Sequence, residues 1–250
     1  MQFRNDSQRR AVFASLSVFS KKPDYSQETW QKEIAGVPKY KIDEYYRGIW
    51  GKLEPQLEGR NILVRYEHGG EQIVRRHPPG SSSYTTINDV DDLSEIVREH
   101  GIELWPETSK KGDLGRADMV VLDVDNMGDV SESKMKDVTK AVYDKMNDLT
   151  GVTPYIVSTH GGYHIVAKLD EPMSYRTLRK KIDKVVIVPL EKELPYVSGK
   201  YGKSDVYLDK TPIKMHGSTK AYGSLNLPDL GISEKLSIYD IDAYKRDRLR

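Results

Sequence analysis

The stretch Val120-Val121-Leu122-Asp123-Val124-Asp125 decides how this chain is read. Its near-continuous apolar run predicts a buried strand over Met119 to Val124, and it closes on two carboxylates two residues apart. Residues i and i+2 of a strand point to the same face, which puts Asp123 and Asp125 side by side, roughly 7 Å apart along the strand. Such a pair suits two divalent cations held about 3.5–4 Å apart in a phosphoryl-transfer site. Many strands end in an aspartate, so the pair takes its weight from two later segments.

The first, Tyr155 to Leu169 (YIVSTHGGYHIVAKL), predicts a hairpin. In its second strand Tyr163, Ile165, Ala167 and Leu169 share an apolar face, while His164, Val166 and Lys168 share the other. Gly161-Gly162 admits close approach of backbone and ligand, and Ser158 leads into the turn. Ser158, backbone amides, His164 and Lys168 together suit a triphosphate, although a plain hairpin with a polar outer face accounts for the same residues. The second segment, Ser204 to Gly223, predicts a strand over Val206 to Asp209 with Asp205, Tyr207 and Asp209 on one face. Asp205 or Asp209 is a candidate third metal ligand, because two aspartates do not fill two six-coordinate shells. Lys214, His216, Ser218 and Lys220 follow as phosphate donors. An acidic surface strand with a basic loop is the bland alternative.

Outward from these segments, periodicity predicts helices over Ser7 to Phe19, Glu28 to Ile34, Lys41 to Leu57, Val90 to His100 (closed by Gly101), Ser131 to Leu149 (capped by Ser131, closed by Gly151) and Ser174 to Glu193. In the last, Val185 to Val188 blurs the pattern and Pro189 is expected to break it. Asn61 to Tyr66 and Gln72 to Val74 pair as strands, Ile102 to Trp105 is a further strand, and the chain from Pro228 is loop and short helix. Helices and strands do not alternate regularly, so the expected class is α+β with largely antiparallel sheets. We expect a helical N-terminal extension over residues 1–40 and a catalytic domain over 41–250.

Composition narrows the classes. With 39 Lys+Arg against 38 Asp+Glu the 250-residue chain carries a net charge of +1, so bulk electrostatics do not announce a nucleic-acid binder, though a basic groove offset by acidic surface is compatible with it. There is no cysteine, hence no disulfide framework and no thiolate zinc site. The polar start MQFRNDSQRR lacks the apolar core of a signal peptide, and no run approaches the ~20 apolar residues of a membrane span. The expectation is a cytoplasmic protein without a membrane partner.

Asp-x-Asp on a strand, then Ser…Gly-x-His on a hairpin, then a strand-borne Asp with a basic loop resemble, in that order, the archaeo-eukaryotic primase superfamily, and within it the polymerase domain of ligase D. Tyr45-Tyr46, Pro55-Gln56-Leu57-Glu58-Gly59-Arg60, Asp91-Asp92-Leu93, Gly101-Ile102-Glu103-Leu104, Leu122-Asp123-Val124-Asp125, Ser158 through His164, Val206-Tyr207-Leu208-Asp209 and Gly217-Ser218-Thr219-Lys220 look like that family's motifs over about residues 40–230. Departures include Gln72-Ile73-Val74-Arg75-Arg76, where the family carries aromatic residues before a lysine, Thr159 for glycine, Leu104-Trp105 for a histidine, and Lys220 for arginine, which keeps charge but loses the bidentate fork.

The resemblance implies an RRM-like antiparallel sheet flanked by helices, and template-directed nucleotidyl transfer in DNA end joining or gap repair. It implies that Asp123, Asp125 and Asp209 hold two Mg²⁺ or Mn²⁺ ions, with His164 beside them. It further implies that Ser158, His164 and Lys220 grip the triphosphate, with Lys214 and Ser218 of the basic loop as further nucleotide-binding candidates and Arg65, Arg75 and Arg76 as candidates for DNA phosphate contacts. Primed or gapped DNA, nucleoside triphosphates, Ku and a separate ligase are the implied partners. An initiating primase is the alternative within the family. A haloacid-dehalogenase-type phosphatase shares the strand-Asp-x-Asp signature, but leaves the Ser158–His164 hairpin without a task, and Asn126 stands where it carries Thr or Val. A silent nucleic-acid-binding module would not need all three aspartates.

Overall fold

The computed structural model describes residues 23–34, 36–68, 71–75, 77, 83–128, 130–158, 162–209, 219–224, 231–232, 235–236, 238–239 and 241. The helix expected over Ser7 to Phe19 lies outside them. The chain divides into two units, Met1–Glu103 and Leu104–Arg250; this boundary falls within the segment assigned above to a single catalytic domain.

In the first unit the helix expected over Glu28 to Ile34 is one turn, α1 (Glu28–Gln31), followed by the short antiparallel pair β1 (Glu33–Ile34) and β2 (Val37–Pro38). Helix α2 (Lys39–Leu57) buries Ile42, Tyr46, Leu53 and Leu57 on one stripe, the three-and-four spacing read from the sequence. Strands β3 (Ile62–His68) and β4 (Glu71–Arg75) pair antiparallel in a sheet of order β4-β3-β5, with β5 at Gly101–Pro106. Helix α3 (Val90–Arg98) is capped by Asp89, whose side chain accepts from the amides of Asp91 and Asp92. Its end differs from expectation. His100, not Gly101, takes the left-handed conformation (φ 68°), and Gly101 opens β5. A Cβ on Gly101 would lie 2.3 Å from Ile96 Cγ2 and 2.9 Å from Val64 Cγ1, so this glycine is a packing requirement.

The second unit is built on β6 (Arg116–Asn126), the strand of the opening motif. Helix α4 (Glu132–Thr150) follows, its first turn capped by Ser131, which accepts from Lys134 N at 3.3 Å; losing that cap costs about 1 kcal/mol. Strands β7 (Tyr155–Ser158) and β8 (Gly162–Ser174) form the expected hairpin. With β9 (Val197–Ser198), β10 (Val206–Asp209) and β13 (Lys235–Leu236) they make a six-stranded sheet of order β13-β7-β8-β6-β10-β9, antiparallel except for β9 with β10. Short strands β11 (Thr219–Ser224) and β12 (Gly231–Ile232) pair separately. The α+β expectation holds.

Alternation sorts the sheet into two faces. Val120, Leu122, Val124, Tyr163, Ile165, Ala167, Val206 and Leu208 bury against Met135, Val138, Val142 and Met146 of α4. Each buried Val, Leu, Ile or Met side chain contributes about 1.5–3 kcal/mol by leaving water. From Tyr175 to Glu193 the chain is helical throughout, with Ser174 as the N-cap at the end of β8. Helix α5 (Tyr175–Ile182) runs into a π turn (Asp183–Ile187) and then α6 (Val188–Glu193). Pro189 does not break it: the wider π turn precedes it, and it enters in the first turn of α6, where its missing N–H is not needed. Among the described residues no helix is long and apolar enough to cross a membrane.

Candidate active site

The face of β6 turned away from α4 carries Asp123 and Asp125. Register then places their neighbours. Asp123 faces His164 of β8 on one side and Asp209 of β10 on the other; Asp125 faces Gly162 and Tyr207. One row across three adjacent strands therefore reads His164–Asp123–Asp209, and the next reads Gly162–Asp125–Tyr207. No single stretch of sequence contains either row.

Within the first row His164 Nε2 lies 3.0 Å from Asp123 Oδ2. His164 is buried at 2% exposure, whereas the Asp123 side chain keeps 23%. The other oxygen, Asp123 Oδ1, is buried and accepts no hydrogen bond among the described residues. Leaving a buried carboxylate oxygen unmatched is costly unless something else meets it. Among the described residues no group of three or more His, Asp or Glu side chains is already gathered as a metal cage; of Asp209 only the backbone is described.

Gly162 has a stringent reason to be glycine. A Cβ there would lie 1.7 Å from the carbonyl oxygen of Val124 and 3.2 Å from Asp125 Cα. Any side chain would force β8 off β6 at the position of Asp125. Asp205 and Asp209 are separated by register. The Asp205 carbonyl accepts from Met127 N (2.8 Å) and Gly128 N (3.2 Å), beyond the end of β6, while Asp209 stands opposite Asp123.

Ser158 pairs with Tyr163 and shares its core-facing side, with 2% exposure, so its side chain is on the opposite face from His164. Arg65 faces Val74 and Arg75 faces Val64 in adjacent positions of the β3–β4 hairpin, so the two arginines point to opposite faces, both within the first unit. Lys214, Ser218 and Arg76 lie outside the described residues, and of Lys220 only the backbone, in β11, is described. An aromatic pair that the sequence reading left out flanks the second row. The rings of Tyr201 and Tyr207 meet edge to face with centroids 5.4 Å apart. Its signal was the Lys200-Tyr201-Gly202-Lys203 turn just before β10.

This arrangement can be set beside known proteins. The family described as LigD, primase-polymerase domain matches residues 38–199. The multifunctional non-homologous end joining DNA repair protein LigD of Mycobacterium tuberculosis (strain ATCC 25618 / H37Rv) is 28% identical over 168 residues, covering 56% of this chain and 22% of the relative. The multifunctional non-homologous end joining protein LigD of Mycobacterium bovis matches to the same extent. This chain thus spans about a fifth of the length of these curated relatives. Among solved structures, the polymerase domain of Mycobacterium tuberculosis ligase D in complex with DNA superposes with a TM-score of 0.74 at 19% identity, covering 89% of each chain, which shows a shared fold. With the family match extending from the start of α2 through β9, the chain belongs to the LigD primase-polymerase domain family.

Proposed function

We propose that this chain carries out template-directed nucleotidyl transfer: a primer 3′-hydroxyl attacks the α-phosphate of a nucleoside triphosphate and pyrophosphate leaves. Primed or gapped DNA is the substrate, in end joining or gap repair. The observation that carries this reading is the buried Asp123 Oδ1 without a partner, in a row with His164 and Asp209 and beside Asp125. Carboxylate oxygens are donors for hard cations, and the chain has no cysteine to favour a soft one, so the residues fit Mg²⁺ or Mn²⁺.

Asp123, Asp125 and Asp209 would hold two such ions. When bound, they would lower the pKa of the attacking hydroxyl and offset charge in the transition state. His164 would hold Asp123 through Oδ2, and Oδ1, which has no hydrogen bond, would be available to a cation. The register supports Asp209 over Asp205 as third ligand. Lys214, Ser218 and Lys220 would hold the triphosphate, and Arg65, Arg75 and Arg76 would meet DNA phosphates from different sides. The buried, core-facing placement of Ser158 argues for a supporting role at the base of the hairpin turn instead of a direct grip. Ku and a separate ligase would act as partners, in the cytoplasm.

The test is nucleotide incorporation on a gapped, 5′-phosphorylated template with Mn²⁺, together with a thermal melt in Mn²⁺ alone. Wild type should extend the primer and gain stability from the ion, by about 2.7 kcal/mol at one hundred times its Kd. Asp123→Asn should lose both. Metal-independent extension, or full activity in Asp123→Asn, would overturn the proposal.

A further inference from the structure

We infer that the turn Lys200-Tyr201-Gly202-Lys203, beside Tyr207 at the edge of the carboxylate face, is a ledge for a nucleobase, with Tyr201 as its stacking surface and the two lysines as contacts for neighbouring phosphates. The inference deepens the nucleotidyl-transfer reading and rests on it for the identity of the site.

Tyr201 is 71% exposed. A single exposed tyrosine is ordinary on a protein surface. This one is held in place without being buried. The turn closes by Lys203 N donating to Lys200 O at 3.2 Å, and Gly202 takes φ +67° at its third position, as a type II turn requires. Its base is anchored: Lys200 N donates to Ser198 Oγ (3.0 Å), while Ser198 Oγ and Gly199 N both donate to Glu191 Oε1 (3.1 and 2.9 Å). The Tyr201 ring then meets Tyr207 at 5.4 Å between centroids and 90° between planes. A large side chain ordered before any ligand arrives has little rotamer freedom left to lose on binding.

Position supplies the ligand class. Tyr207 stands opposite Asp125 in the β6–β10 register, so the aromatic pair continues outward from the proposed cation site. Lys200 and Lys203 are exposed on either side of Tyr201, and no ion pair engages them among the described residues. A flat aromatic surface between two cations matches a base flanked by phosphates. That base comes either from the incoming nucleotide or from a DNA strand, and the two sources can be separated.

The full-length Tyr201→Trp variant provides the probe. Its emission, after subtraction of the three native tryptophans, is titrated with a nucleoside triphosphate, a single-stranded oligonucleotide, and an abasic oligonucleotide of equal length. Quenching by a base-bearing ligand, with little from the abasic strand, is expected, and the ligand that quenches identifies the source. Tyr201→Ala should weaken that ligand about 5- to 100-fold, and Tyr201→Phe should restore it. Equal quenching by the abasic strand, no quenching by either base-bearing ligand, or wild-type affinity in Tyr201→Ala would overturn the ledge. The catalytic reading fails separately: if wild type never extends a primer while the emission of the Tyr201→Trp variant still responds to the strand, the ledge stands and the nucleotidyl-transfer assignment falls.

Discussion

Two aspartates, one in each unit, show how differently a protein can treat the same chemical group. Asp43 of α2 is fully buried. Its Oδ1 accepts from Ser94 Oγ at 2.5 Å, and its Oδ2 accepts from Arg47 Nε at 2.8 Å and from the Tyr25 hydroxyl. Arg47 reaches on to Asp91 at 2.8 Å and Ser94 at 2.6 Å. Burial alone would lower the Arg47 pKa, but its hydrogen bonds to Asp91 and Asp43 outweigh that and hold it above the usual value. Burial, then the bond to Asp43, raises the Tyr25 hydroxyl in turn. Every oxygen of Asp43 is accounted for by the protein itself. Asp123, by contrast, has one oxygen in contact with His164 and the other without a hydrogen bond. A satisfied buried carboxylate fits a scaffold role, whereas an unmatched oxygen calls for an explanation, and the proposed function supplies one for Asp123.

The comparison can be broken by substituting each member. Asp43→Ala should be the most damaging change, destabilising the fold by about 3–5 kcal/mol because Arg47, Ser94 and Tyr25 all lose a buried acceptor at once; urea melts read this directly. Asp123→Asn should do the reverse. Its stability should change far less than that of Asp43→Ala, because asparagine keeps the shape and an oxygen beside His164, while nucleotide incorporation drops about 10²–10³-fold, equivalent to about 2.7–4 kcal/mol of transition-state stabilisation. Were Asp123→Asn to unfold the protein while Asp43→Ala left it intact, the division into scaffold and site would be wrong. Gly162→Ala sharpens the picture at smaller amplitude. Relieving the clash with Val124 should cost about 1–3 kcal/mol, and by moving β8 away from Asp125 it should lower activity more than a melt alone would predict.

Much of this was legible along the chain because strand faces obey a period of two. The alternation of Val120 to Asp125 and of Tyr163 to Leu169 predicted which side chains bury against α4 and which form the opposite face. Ser158 obeyed the same rule, two residues after the core residue Ile156, yet its place before a Gly-Gly turn invited a ligand role instead. Asp91-Asp92-Leu93, read as a family motif, is a helix start: Asp89 caps it, Asp91 holds Arg47, Asp92 accepts from Asn88, and Leu93 is core. The Asp43–Arg47 pair had a sequence trace in its four-residue spacing on α2, but Tyr25 and Ser94 joined it from distant segments.

Local patterning established most of the longer elements and their buried faces, since periodicity and turn chemistry act between residues close in sequence; it missed the short strands β12 and β13, which lie where loop and short helix were expected. Strand order and register lay beyond its reach. They depend on pairings between segments tens of residues apart, each consistent with the same local alternation. Only the folded sheet brought His164 and Asp209 to either side of Asp123, closed β8 onto β6 at Gly162, and turned Arg65 and Arg75 to opposite faces of their hairpin.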